Sequence, residues 1–198
     1  MNVFLSILLG IGLSIACGFR SFLPMLIVSF CSKTGLLELN DGFLWLSNNS
    51  VFIALLIATI IEILAYYIPV LDNILDYFSL PISIIAGILL SLSSFKIQDP
   101  FLLWVFATIN GAVVVCLVKS TLAVMRGLSS TLFVGLTNGL LSTVENVFAF
   151  LISGISILFS FVVIFVIVFL VYFIVNNFAK IKNKLLEKKK NPLIKNES

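Results

Sequence analysis

A chain of 198 residues that is 61% hydrophobic, only 11% charged and +1.22 in mean hydropathy holds more apolar side chain than one soluble core absorbs. Its net charge of +3 comes from a lysine-rich end, and the absence of histidine removes the usual general base and the commonest metal ligand. The apolar residues fall in runs of about 18 or more, which read as membrane-spanning helices.

Val3 to Cys31 reads as the first span. Gly10, Ser14 and Gly18 recur every fourth residue and make a small face that another helix can approach closely. In Gly18-Phe19-Arg20-Ser21-Phe22-Leu23-Pro24 a permanent positive charge sits in the middle of the apolar run, where it calls for a partner or a wet cavity. Pro24 has no N–H for the carbonyl of Arg20 and its ring collides with that carbonyl, so a kink is expected at Pro24. Ser14-Ile15-Ala16-Cys17 resembles a lipoprotein cleavage site, but no basic segment precedes it and the N-terminus is not read as a cleaved signal. Cys17, Cys31 and Cys116 fit no metal spacing and read as small packing residues.

The second span runs from Phe43 to Ile68 with Glu62 in its middle. Trp45 near its start and Tyr66 and Tyr67 near its end read as interfacial aromatics, and Pro69 ends the helix. Asp72 and Asp76 stand four apart among apolar residues. They read as a short amphipathic helix at the interface, whose carboxylates face water or form a site. Leu80 to Phe95 is short for a span and either crosses tilted or re-enters. Lys96-Ile97-Gln98-Asp99-Pro100 is a turn.

Phe101 to Met125 is the next span, with Trp104 at its outer end. Lys119 and Arg126 lie seven apart on one face near its inner end, where both side chains can snorkel to the headgroups, Arg126 above all. Leu132 to Asn177 is too long for one helix, and Ser153-Gly154 offers a hairpin. Its first part carries Gly135-x-x-x-Gly139, and Asn138, Ser142, Glu145 and Ala149 form one small, polar stripe. Ile155 to Val175 has no charge and reads as a lipid-facing span. Lys180 to Ser198 holds seven lysines and reads as a tail that contacts lipid headgroups and sets topology, not as a nucleic-acid site.

The expected fold is therefore all-α: a polytopic membrane bundle of about six spans over residues 1–179, followed by a basic tail over 180–198. Six spans put both ends on one side, and the lysines place that side in the cytoplasm. Ser14 to Arg20 and Ser120 to Arg126 both read Ser, five residues, Arg, and each precedes a helix with a central glutamate. With three spans between them the two copies would run in opposite directions, a 3+3 inverted repeat of the transporter kind.

The buried charges are Arg20, Glu62, Glu145 and Lys119, with Asn138 on the stripe of Glu145. Each charge at mid-bilayer costs about 2.5–3.5 kcal/mol on insertion scales, so pairing of Arg20 with a glutamate is expected. The stretches GLSIACGFRSFLPML (Gly12 to Leu26), EILAYYIPVLDNILD (Glu62 to Asp76) and TNGLLSTVENV (Thr137 to Val147) resemble a family of bacterial integral-membrane proteins known as domain of unknown function 4126. The third stretch departs from the family, with Glu145-Asn146 where the family has Glu-Asp. Lys119 and Leu122-Ala123 stand where the family often has a histidine and Lys-Ala ahead of Arg126. The resemblance implies a multi-pass protein of the bacterial cytoplasmic membrane and supplies no activity, substrate or cofactor.

Three functions compete. In a small transporter or channel, Glu62 and Glu145 would titrate or bind a cation and Arg20 would hold an anionic group. In an assembly protein the charges would only lock helices together, with the Gly and Ser faces available to a second copy. A lipid-acting enzyme is the weakest reading: there is no G-x-S-x-G, no phosphate loop and no metal cluster beyond the pair Asp72 and Asp76. No cofactor, metal or nucleic-acid partner is expected; the partners are the bilayer and an ion or small anionic ligand. The topology predicts that a thiol reagent added outside intact cells labels Leu36→Cys and spares Ile194→Cys, and labelling at position 194 would sink it.

Overall fold

The computed structural model describes residues 2–66, 68–133 and 138–163 and the single residues 165, 168, 169 and 172, with backbone alone for 69–77, 127–133, 138–141 and 161. Met1–Val163 forms one compact unit and Ile164–Ser198 a second. Most of the expected Ile155–Val175 span and the whole Lys180–Ser198 tail lie outside the described residues. All regular structure among the described residues is helical.

The first apolar run is two helices, α1 (Val3–Phe19) and α2 (Phe22–Lys33), separated by Arg20 in an extended conformation, φ −138° and ψ 136°. Pro24 is the third residue of α2, where a backbone N–H has no intrahelical acceptor and its loss costs nothing. Its ring would strike the Arg20 carbonyl only if the helix ran through, and the extended Arg20 removes that collision. The kink expected at Pro24 is thus a break four residues earlier, at Arg20.

A 3₁₀ segment, Asp41–Ser47, meets α3 (Asn49–Ala65) at a bend of 65°, so the expected span Phe43–Ile68 is not one straight helix. α4 (Pro69–Ser94) has Pro69 in its first turn and Pro81 in its interior. It joins the expected interfacial helix around Asp72 and Asp76 to the short run Leu80–Phe95 in a single helix of about 39 Å. α5 (Pro100–Phe133) runs on past Met125 and is about 51 Å long.

α6 (Asn138–Leu158) passes straight through Ser153-Gly154, where a hairpin was expected. The Ser153 hydroxyl donates to the Ala149 carbonyl at 2.7 Å and that of Ser156 to the Ile152 carbonyl at 2.6 Å. Such bonds back onto the preceding turn are compatible with a helix, which they slightly destabilise or bend. The chain leaves the helix at Phe159, before the short 3₁₀ turn Ser160–Val162.

α1 is buried along most of its length, with Leu9, Leu13 and Cys17 in one core cluster with Leu90 of α4 and Val115 of α5. Its small face is used inside the chain: Gly10 lies against Phe95 and Gly18 against Val118. Between them the Ser14 and Ser91 hydroxyls are 3.0 Å apart, and Asn110 donates to both, at 3.0 and 2.8 Å. That face is not available to a second copy of the chain.

Large apolar side chains point outward on α3 (Ile53, Ile57, Ile60, Ile61) and α5 (Phe101, Trp104, Ile109, Val113), while Ser14, Arg20, Ser21, Glu62, Ser83 and Glu145 are buried. Among the described residues Pro100–Arg126 is one helix long and apolar enough to cross a membrane, and the bent pair Asp41–Ser47 with Asn49–Ala65 makes a second if it counts as one span.

Two glycines separate packing from propensity. A Cβ on Gly111 of α5 would fall on the Ile88 backbone of α4, whereas one on Gly154 of α6 meets nothing within 4 Å. Gly111→Ala is expected to lower the unfolding temperature in detergent, by overpacking worth about 1–3 kcal/mol. Gly154→Ala should raise it, by up to about 1 kcal/mol of helix propensity. Equal effects would refute the close α4–α5 approach.

Candidate functional site

Breaking the helix at Arg20 exposes the first N–H groups of α2. Glu62, from the last turns of α3 and 6% exposed, accepts both: Ser21 N–H to Oε1 at 2.9 Å and Phe22 N–H to Oε2 at 3.1 Å. A carboxylate at a helix N-terminus satisfies donors that would otherwise be buried unpaired and meets the positive end of the dipole. The Ser21 hydroxyl also lies 2.7 Å from that of Ser83, which ties the break to α4. Glu62 is therefore a cap on the broken helix, and its described bonds go to backbone rather than to Arg20.

The extended Arg20 carries its guanidinium into the bundle, where the residue is 0% exposed. Nη2 donates to the Ser142 carbonyl at 3.1 Å and to the Ser142 hydroxyl, and lies 3.5 Å from Glu145 Oε2. The guanidinium carbon sits 3.9 Å from the centre of the Tyr66 ring, a cation–π contact in a desolvated site. Nε and Nη1 of Arg20 are buried with no hydrogen-bond partner among the described residues.

Glu145 is bound mainly by Arg126. Nε and Nη2 of Arg126 donate to Oε1 at 3.1 and 2.9 Å, and Nη2 donates to Oε2 at 2.7 Å. Arg126 was expected to snorkel to the headgroups; instead it forks onto the most deeply buried carboxylate in the described structure. The reason is the length of α5, which continues to Phe133 and keeps Arg126 inside the helix rather than at its end. The guanidinium of Arg126 also lies 5.2 Å from the Tyr66 ring centre, so both arginines converge on Tyr66 and Glu145.

The sequence carried one pointer to this, the matching Ser14–Arg20 and Ser120–Arg126 spacing. The backbones differ at the two arginines: α1 breaks at Arg20 and α5 runs unbroken through Arg126. Tyr66, expected at an interface, is 4% exposed, and its composition gave no sign of a place between two guanidinium groups.

Lys119 donates to the Ser79 hydroxyl of α4 and has no carboxylate within 4.0 Å among the described residues. Glu145 and Glu62 act on it at longer range, as do Arg126 and Arg20 with the opposite sign. Beside it is a cavity of about 260 Å³ lined by Ser79 and Leu80 of α4 and by Lys119, Ser120, Leu122 and Arg126 of α5. The side chains of Asn138, Asp72 and Asp76 lie outside the described residues; by spacing, positions 72, 76, 79 and 83 follow one face of α4. Among the described residues no three His, Cys, Asp or Glu side chains group to hold a metal ion.

The family model described as "Domain of unknown function (DUF4126)" matches residues 7–180, and the chain belongs to that family. All three stretches that carry the resemblance fall within the match. Neither a curated protein nor a solved structure matches the chain.

The geometry orders the two arginines. Arg126→Ala takes away a fork of three hydrogen bonds and, among the described residues, leaves Glu145 with Arg20 at 3.5 Å. A loss of about 3–5 kcal/mol is expected in detergent unfolding, as for other broken buried pairs. Adding Glu145→Gln to it should return part of that loss, because the stranded charge goes too. A double variant less stable than the sum of the singles would show that Glu145 is held by other groups.

Proposed function

Proceeding from a family that carries no assigned activity, we propose that the protein is a multi-pass membrane protein that moves a small ion or solute, as a transporter or channel, through the polar site at the break between α1 and α2. One observation carries this reading: Arg20, Arg126 and Glu145 meet in the interior of a bundle with large apolar side chains on its outside, and Glu62 is buried at the helix break next to Arg20. An apolar exterior with charges inside suits lipid as the solvent, and intramembrane charges mark ion and solute pathways. Irregular backbone at membrane depth is tolerated where protein buries it or where it lines a cavity, and broken helices are how transporters build their sites.

On this reading α1 with α2 forms one broken span and the 3₁₀ segment with α3 a bent second. α4, α5 and α6 follow, and the apolar run after Phe159 supplies a sixth, with both ends cytoplasmic. Ser14–Arg20 and Ser120–Arg126 support an inverted repeat, since their arginines meet at Glu145.

A second reading, an assembly protein with clamped helices, is favoured by the full engagement of both carboxylates: Glu62 by two backbone N–H groups and Glu145 by Arg126. Neither reading requires a chemical step or a cofactor.

The full chain reconstituted into liposomes separates them. Under imposed proton, sodium, potassium, chloride or phosphate gradients, transport predicts flux above that of empty liposomes. Glu62→Gln should abolish it while the variant stays folded. A clamp predicts no flux under any gradient, and tolerance of the exchanged pair Arg126→Glu with Glu145→Arg. Correct insertion without flux in every gradient would overturn the transport reading.

A further inference from the structure

We propose that α1 and α2 form a re-entrant hairpin: both helices open onto one face of the membrane, and Arg20 is the tip that stops inside it. The hairpin takes the place of the single broken span in the six-span layout. It rests on packing within the chain and not on the transport reading.

Two series of contacts fix the directions. Along α4, Ser83 meets Ser21, Gly87 and Ser91 meet Ser14, Phe95 lies against Gly10, and the N–H of Lys96 donates to the Ser6 hydroxyl at 3.0 Å. Numbers rise on one helix as they fall on the other, so α1 is antiparallel to α4. Along α3, Glu62 takes the N–H groups of Ser21 and Phe22, the Phe52 ring centre lies 6.4 Å from that of Phe30, and Asn49 accepts from Lys33 at 2.5 Å. By the same rule α2 is antiparallel to α3.

The loop after α2 closes the frame. The N–H of Asn40 donates to the Ser93 carbonyl at 2.9 Å, and its side-chain amide donates to the carbonyls of Leu92 and Phe95 at 2.6 and 2.7 Å. Asn40 therefore sits at the end of α4 that meets Ser6 and Gly10, beside the first turns of α1. Length excludes the alternative. If α2 continued in the direction of α1, Lys33 would stand about 18 Å beyond Ser21, with Phe95 about 18 Å to the other side. The stretch from Lys33 to Asn40 reaches at most about 25 Å, against the roughly 36 Å required.

The tip stops short of the far face. α1 is about 25 Å long and α2 about 18 Å, against about 30 Å of hydrocarbon. Neighbouring helices go on past it. Gly18 lies against Val118, and α5 continues about 22 Å to Phe133. Ser21 meets Ser83, and α4 begins about 21 Å before Ser83 along the helix. A turn at such depth survives only where protein meets its backbone groups. Arg20 and Ser21 are 0% and 1% exposed, and Glu62 caps the N–H groups that the turn frees.

Charge does not oppose the hairpin. Residues 1–19 hold no lysine or arginine, so the positive-inside rule does not keep the start of α1 in the cytoplasm. With the loop after α2 outside, as in the six-span layout, the start of α1 moves outside with it. Towards that face the tip is backed by the apolar core of Leu9, Leu13, Val28, Leu46 and Leu90, while the cavity beside Lys119 and Arg126 lies past the tip.

The test is which side each end of the hairpin faces. An impermeant maleimide is applied to intact and to permeabilised cells carrying Asn2→Cys or Leu36→Cys, with the native chain and its three cysteines as background. The hairpin predicts that both positions label in intact cells, or that neither does until the cells are permeabilised. Labelling of one and not the other in intact cells overturns it. A distance on the purified full chain in nanodiscs decides the matter where a position stays unlabelled throughout. Spin labels carried by unnatural residues at Phe4 and Lys33 should lie within about 30 Å of each other, whereas helices in line would hold them about 43 Å apart and overturn the hairpin. Flux is a separate readout: a hairpin without flux in liposomes removes the transport reading alone, and flux with the two positions on opposite sides removes the hairpin alone.

Discussion

The collision between the ring of Pro24 and the carbonyl of Arg20 is relieved by turning one residue extended, and the site follows from that turn. It ends α1, frees the N–H groups of Ser21 and Phe22, and swings the Arg20 side chain into the bundle. Each consequence creates a need that another helix meets. Glu62 of α3 takes the freed donors, Ser142 and Glu145 of α6 face the guanidinium, and Ser83 of α4 reaches Ser21. A proline on one helix thereby sets which polar groups three other helices must supply.

Magnitudes decide how the charges share their partners. Glu145 stands between two arginines, and the short fork to Arg126 dominates the 3.5 Å approach of Arg20. Arg20 is left with a carbonyl, a hydroxyl and the face of Tyr66, and with two nitrogens unpaired. A desolvated cation–π contact is worth about 2 kcal/mol, less than the several kcal/mol it costs to bury an ion. Arg20 is thus the least compensated charge in the cluster. Arg126 and Glu145 look like a clamp when taken alone; Arg20, with two buried nitrogens that have no partner among the described residues, does not.

Much of the site was legible because charge in an apolar run is so costly that its position alone is informative. Arg20, Glu62 and Glu145 stand out on that ground; the structure sets Arg20 beside Glu145, and Glu62 on the backbone N–H groups that follow Arg20. What was not legible depended on where helices end. Arg126 was assigned to the headgroups because a span of ordinary length stops at Met125, while α5 gains further turns that no local signal announces. The Ser153-Gly154 pair carries turn chemistry, yet α6 passes through it, with the Ser153 and Ser156 hydroxyls bonded to carbonyls of the preceding turn. At Pro24 the sequence shows the collision but not where it is relieved: the ring obstructs the carbonyl four positions back, and the backbone yields there, at Arg20.

The same seam explains how the helices find one another if lipid surrounds them. Apolar side chains then give no drive for helix association, since lipid tails are as apolar as leucine, and close packing and hydrogen bonds must do it. α4 presents Ser79, Ser83, Gly87, Ser91 and Ser94 at spacings of four and three along one face. Ser79 accepts from Lys119, Ser83 meets Ser21, and Ser91 joins Ser14 and Asn110, so one hydroxyl-bearing face is bonded to α1, to the break after it and to α5. The small residues of α1 and Gly111 of α5 bring the backbones near enough for these bonds. The bonding that assembles the bundle and the Ser79 hydroxyl at the cavity are therefore parts of one polar face.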